Sequence, residues 1–142
     1  MQASSKNPAL VRRSLSILLA DDDYDTLLTL STMLRDEGHV VHTCVNAEFV
    51  MEAIRRYRPD ICILDIVMPA KTGFSIARDV IALKLPQRPV LVALSGVFSK
   101  ASDEIILKSA GFDHLVRKGG DPNDLFRIIN EVADAGSPPE AA

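Results

Sequence analysis

Five short apolar runs alternate strictly with five segments of helical period, and this alternation constrains the fold more than any other feature of the chain. The runs are LSILLA (15–20), HVVHTC (39–44), DICILD (60–65), PVLVAL (89–94) and DHLVR (113–117). Most are continuous rather than alternating in polarity, as in strands covered on both faces. Between them, Leu27, Leu30 and Leu34 fall on one helical stripe that Gly38 stops, and Val50, Ala53, Ile54 and Tyr57 trace a second, ended by Arg58-Pro59-Asp60. Ile76, Ala77, Val80 and Ile81 mark a third helix, and a fourth spans residues 101–110 before Gly111. The fifth has Asp121 as N-cap, Pro122 in its first turn, Leu125, Ile128, Ile129 and Val132 inside, and Gly136 at its end. Strand–helix units in unbroken alternation predict a parallel sheet with helices on both faces, the doubly wound α/β class. In such a sheet the ligand site lies beyond the carboxyl ends of the strands, where the strand order reverses.

Those ends carry chemistry. The first strand runs into Asp21, Asp22 and Asp23, with Asp25 beyond; the third ends in Asp65, the fourth in Ser95 and the fifth in Lys118. In the order 2-1-3-4-5, strands one, three and four are neighbours with five beside them, so these groups converge at one edge. Crowded carboxylates raise each other's pKa unless a cation offsets the repulsion. Three of them form a hard oxygen site suited to Mg2+. An aspartate can be a nucleophile toward phosphorus, and a lysine and a hydroxyl are the groups that hold phosphoryl oxygens. Taken singly each residue has an ordinary meaning: a solvated helix start for Asp21 to Asp23, a turn cap for Ser95, a surface lysine for Lys118. Taken together they point to phosphoryl acceptance at an aspartate.

Composition narrows the setting. With 142 residues, 47% of them apolar, the chain is one globular domain of ordinary size, and no apolar stretch approaches a membrane span. A net charge of −3 and basic pairs no larger than Arg12-Arg13 and Arg55-Arg56 argue against nucleic acid as a partner. Arg12-Arg13 followed by SLSILLA imitates an export signal, but the apolar run is shorter than the roughly 7–15 residues such a signal needs. Cys44 and Cys62 lack a paired spacing and are expected to be buried free thiols in a reducing compartment, and His39, His42 and His114 show no metal-ligand spacing. The expectation is a cytoplasmic protein with neither membrane nor nucleic acid as partner. Residues 1–13 and 137–142 read as flexible tails around a domain at 14–136.

Four segments, in order, carry a family resemblance. LADDD resembles the acidic pair that follows the first strand in receiver domains of two-component response regulators. LDIVMPAKTG is similar to their phosphoacceptor segment D-x-x-M-P-x-x-x-G, ALSG to their hydroxyl segment, and VRKG to their lysine segment. The resemblance covers about residues 14–135 and implies a flavodoxin-like (βα)5 three-layer sandwich with a five-stranded parallel sheet in the order 2-1-3-4-5. It makes Asp65 the phosphoacceptor. Mg2+ would be bound by Asp22, Asp65 and the backbone carbonyl of Val67, and by Asp21 mainly through water. Ser95 would hydrogen-bond the phosphoryl group and Lys118 would pair with its oxygen, while Asp23 caps the first helix. The implied donor is a phosphohistidine on a histidine kinase or histidine phosphotransfer protein, and the implied effect is a switch read by a downstream protein target not named by the sequence. No output domain is expected after the receiver. The protein would not be an enzyme beyond self-catalysed phosphorylation from small donors and slow autodephosphorylation.

Two positions depart from the family pattern. Gly119 replaces the proline that usually follows the lysine, which leaves the path of that loop open, and Leu115 stands where an aromatic ring often swings inward on activation. These keep a second reading in play, a degenerate receiver that never carries phosphate and serves as a protein interaction module. A third reading, a haloacid-dehalogenase-like phosphatase using Asp21, Asp23, Ser95 and Lys118, lacks the D-x-D-G-T opening of that family and leaves Asp65 without work.

Overall fold

A computed structural model, which describes residues 13–69, 71–97 and 101–135, gathers the five apolar runs into one parallel sheet. The strands are β1 (Ser16–Ala20), β2 (Val40–Cys44), β3 (Ile61–Asp65), β4 (Val90–Ser95) and β5 (His114–Arg117). The helices are α1 (Tyr24–Asp36), α2 (Val50–Tyr57), α3 (Gly73–Ala82), α4 (Ala101–Ser109) and α5 (Pro122–Ala135). The sheet order is β2-β1-β3-β4-β5, the expected 2-1-3-4-5. No helix of the described residues is long and apolar enough to cross a membrane.

The period-two alternation of each strand feeds two cores. Ile17 and Leu19 of β1 and Ile61 and Ile63 of β3 pack with Leu27 and Leu34 of α1 and Leu125 and Ile129 of α5. Leu18 and Ala20, Cys62 and Leu64 turn the other way, toward Val50 and Ile54 of α2, Ile76 and Val80 of α3 and Leu107 of α4. Both faces of the central strands are therefore covered, which explains why those runs are continuously apolar. Each fully buried Leu or Ile contributes about 1.5–3 kcal/mol to this packing.

The edge strand β2 departs from that pattern. Val40 is exposed and Cys44 only half-buried, so the expectation of two buried thiols holds for Cys62 alone. Burial pushes both thiols up, Cys62 far above its ordinary range. Tyr57, assigned to the apolar stripe of α2, is instead exposed and stacks on His42 of the edge strand at 3.7 Å. An Asn46-capped 3-10 turn (Ala47–Phe49) precedes α2, a signal the apolar periodicity does not carry. The proposed end of α5 at Gly136 and the tails at 1–12 and 137–142 lie outside the described residues. Arg13, assigned to the first tail, contacts Asp60 at 3.5 Å.

Two aspartates start strands. Asp60 Oδ2 accepts the Ser16 N–H at 2.8 Å, and Asp113 Oδ2 accepts the Leu91 N–H at 2.9 Å while its carboxylate holds Arg88 at 3.1 Å. Each satisfies a backbone donor that the ladder leaves open at the strand's first turn. Asp113→Ala is expected to destabilise the fold by about 1–3 kcal/mol, because the Leu91 N–H loses its acceptor. Urea denaturation would check this, and an unchanged midpoint would remove Asp113 from the account.

Candidate functional site

Where β1, β3, β4 and β5 end, apolar side chains give way to polar ones and the backbone turns outward. Asp21 continues the ladder through its N–H to Cys44 O at 3.1 Å and is fully buried. Its Oδ1 accepts the Asp23 N–H at 2.8 Å, a turn that carries the chain into α1. Asp23 caps that helix, Oδ1 accepting the Asp25 N–H at 3.0 Å and Oδ2 the Thr26 hydroxyl at 2.9 Å. The Thr26 hydroxyl, then the Asp25 N–H, holds the Asp23 carboxyl below its ordinary value. Asp23 is thus committed to the helix, as expected, and the exposed Asp22 between the two stands open at the rim.

Asp65, at the end of β3, is buried. Its Oδ1 accepts the Val67 N–H at 3.1 Å, which folds the Val67 peptide against the carboxylate, and its Oδ2 accepts from Lys118 Nζ at 3.2 Å. The Lys118 ammonium also donates to Asp21 Oδ1 at 3.0 Å and lies 2.9 Å from Asp21 Oδ2. One ammonium therefore spans carboxylates from two strands. Its stem is fixed by the Lys118 N–H on Ser95 O at 2.8 Å. Burial pulls the Lys118 ammonium down, but Asp21 and then Asp65 outweigh it and hold the group above the ordinary lysine value. Burial, and next the Asp21 charge, push the Asp65 carboxyl up to about 6, against the opposing Val67 N–H and Lys118. Ser95, buried at the end of β4, accepts the Val97 N–H on its hydroxyl at 3.0 Å, so its side chain braces its own loop.

Carboxylate oxygens of Asp21, Asp22 and Asp65 all lie within 4.8 Å of one another. Asp21 Oδ2 is buried and makes no hydrogen bond, because Lys118 approaches it outside hydrogen-bonding geometry. An all-oxygen donor set with one buried oxygen left unsatisfied fits a hard divalent cation such as Mg2+. The three predicted acids and Lys118 are thus brought together, and Val67 and Ser95 frame them.

One contributor had no role in the sequence argument. Gly73, the last residue of the LDIVMPAKTG segment, begins α3 flat against the Asp65 backbone. Its N–H reaches Ile66 O at 3.0 Å, and a Cβ there would lie 3.0 Å from both Asp65 O and Ile66 Cα. These neighbours are backbone, so they move only if the Asp65–Ile66 peptide moves. A glycine at a helix start normally gains stability on conversion to alanine. Gly73→Ala is expected to reverse that sign, destabilising by about 1 kcal/mol or more; a variant with a raised urea midpoint would contradict this. The loop after Lys118 is also resolved. Gly119 takes a left-handed conformation (φ +78°) and Gly120 N–H bonds Arg117 O at 3.1 Å, so a tight glycine turn stands where the family pattern has proline. Leu115 packs partly buried on the core beside Phe112.

The chain matches the family model described as response regulator receiver domain over residues 17–130. An uncharacterised 14.6 kDa protein of Leptolyngbya boryana is 32% identical over 128 residues, 89% of this chain and 95% of that one. The transcriptional regulatory protein PrrA of Mycobacterium tuberculosis is 33% identical over 116 residues; the match takes in 82% of this chain and about half, 47%, of PrrA. In fold, the receiver domain of Francisella response regulator 1452 superposes with a TM-score of 0.79 at 18% identity, covering 87% of this chain and all of that one (100%).

Proposed function

The chain belongs to the response regulator receiver domain family, and from that premise we propose that Asp65 accepts a phosphoryl group from a phosphohistidine of a histidine kinase or phosphotransfer protein. The observation that carries this reading is the single Lys118 ammonium bonded to both Asp21 and Asp65 within an oxygen cluster at the strand ends. An ionised Asp65 oxygen forms a bond to phosphorus as the donor's P–N bond breaks, and the electron pair leaves with the imidazole nitrogen, which takes a proton from solvent. Lys118 is positioned to exchange Asp65 Oδ2 for a phosphoryl oxygen. Ser95 supplies a hydroxyl from the neighbouring strand, and the Val67 N–H keeps the other acceptor oxygen aimed. Asp21, Asp22, Asp65 and the Val67 carbonyl would hold Mg2+, with Asp21 acting mainly through water. The ion would neutralise charge on the transferring phosphoryl group.

The product would bias the loop that carries Ser95 and Val97, and so the surface around β4, α4 and β5 that a downstream protein reads. With leucine rather than an aromatic ring at position 115, the change is confined to that loop. The complete acid set, with the buried Asp21 and Asp65 held by one ammonium, favours this switch over a phosphate-free interaction module, which has no use for two buried carboxylates that cost free energy.

The reading is tested by intact mass after incubation with acetyl phosphate, with and without Mg2+. A gain of one phosphoryl group that requires Mg2+ is expected; no gain under either condition overturns it. The phosphorylated form should also persist. Val67 and Val97, 62% and 72% exposed at the mouth of the site, are apolar and cannot orient an attacking water. Replacing Val67 with asparagine is expected to shorten the lifetime several-fold, followed by the decay of the added mass; an unchanged lifetime would shift control elsewhere.

A further inference from the structure

At the opposite pole, about 17 Å along β3 from Asp65, a second cavity opens where β1, β3 and β4 begin. It holds about 420 Å3 and is bordered by Arg13, Arg58, Gln87 and Arg88, with Pro86 and Val132 supplying apolar wall. Its volume lies in the range of small-molecule sites. Arg13, Arg58 and Arg88 line it beside one lining carboxylate, Asp60, which spends Oδ2 on the Ser16 N–H and reaches Arg13 at 3.5 Å, while Arg88 pairs with Asp113 outside the lining at 3.1 Å. Arg13 Nε is buried with no acceptor among the described residues. Arg88 is oriented by Asp113 and by Gly111 O at 3.4 Å, which fixes its plane and leaves further donors for another acceptor. Arg58 holds the left-handed position that ends α2 (φ +47°), where glycine is the unstrained choice, and has no carboxylate partner among the described residues. The negative ends of helix dipoles account for Arg55 and Arg56 in the last turn of α2. They do not account for Arg13 and Arg88, which stand on loops.

We propose that this cavity binds a small phosphate ester, with the phosphate on the Arg13, Arg58 and Arg88 guanidiniums and the organic body against Pro86 and Val132. Guanidiniums match phosphate oxygens in bidentate geometry, and the terminal nitrogens of Arg13, Arg58 and Arg88 keep donors for them. The site is independent of phosphoryl transfer at Asp65.

The test is an amide-resolved NMR titration of the whole chain with AMP in the absence of divalent metal, so that the acidic site holds no phosphate through a cation. Saturable shifts are expected at Arg58, Gln87, Arg88 and Val132, leaving Lys118 and Ser95 still. Arg58→Gln should weaken binding about tenfold or more. That variant loses one surface bond, to Arg55 O, so its melting temperature should match the parent's. A parallel arm with phosphatidylglycerol vesicles identifies the source: vesicle binding lost in Arg58→Gln supports the same phosphate-ester site and makes a lipid headgroup its occupant. No saturable response in either arm, a response that Arg58→Gln leaves unchanged, or equal affinity for inorganic phosphate alone would overturn the proposal.

Discussion

Asp65→Asn is expected to take up no phosphoryl group and, with metal withheld, to unfold at a higher temperature than the parent. The first result follows because an amide oxygen is no nucleophile toward phosphorus, while Asp21 and Asp22 lack the Val67 N–H that aims the acceptor. The second follows from the cost of the buried charge. Folding raises the Asp65 carboxyl to about 6 from the ordinary 3.8. A carboxyl raised by folding destabilises the native state when ionised, so this cost is full above pH 6 and vanishes below 3.8. The amide removes it; the raised value already includes the Lys118 pairing, and water at the site's mouth screens part of the cost, which leaves a net gain of about 1–2 kcal/mol at pH 7.5. The metal-free parent should therefore gain about 1 kcal/mol from this group between pH 7.5 and 5.5, and the variant should not. Thermal melts in chelator at the two pH values would show it; equal pH dependence in both proteins would mean that Asp65 is not the strained group.

Lys118→Met has the opposite effect on stability and nearly as large an effect on transfer. Removing the ammonium leaves the buried Asp21 and Asp65 facing each other with no intervening cation. Breaking a buried ion pair from one side costs about 3–5 kcal/mol. The Lys118 side chain is 26% exposed, so water reduces the expected loss to about 2–3 kcal/mol at pH 7.5. Acid should restore part of it by protonating Asp65, and Mg2+ should restore part by replacing the missing charge. Phosphoryl uptake should fall about a hundredfold or more, as when one preorganised donor to developing charge is removed. A variant as stable as the parent, or indifferent to Mg2+, would mean that the ammonium only decorates the site.

Much of this was legible because the chain changes character abruptly. β1, β3 and β4 stop being apolar at Asp21, Asp65 and Ser95, and a parallel sheet brings such endpoints to one edge whatever the loops do. Periodicity read the buried stripes of α1, α3 and α5 for the same reason, since burial on one face imposes it, but it also placed Ile81 in the α3 stripe, where the structure leaves that side chain exposed at the helix end. Edge positions were harder. Val40, Cys44 and Tyr57 are apolar in type but lie beside the open edge of β2, and type alone does not distinguish an edge from a centre. Asp60 and Asp113 stood in the strand runs with no sign of their role, because the N–H donors they accept from lie on other strands, 44 and 22 residues away. Gly73 was visible only as a letter in a motif; its reason is a contact with backbone that spacing cannot reveal. Type and order named the residues that converge at the strand ends, but not the way Lys118 ties Asp21 to Asp65.

The central claim is that Asp65 itself forms the bond to phosphorus. The most direct measurement is to phosphorylate the whole chain with acetyl phosphate and Mg2+, reduce the acyl phosphate with borohydride, and map the peptides by mass. Homoserine at position 65 and at no other aspartate is the predicted result. Reduction at Asp21 or Asp22, or an added phosphoryl group that resists borohydride, would contradict it.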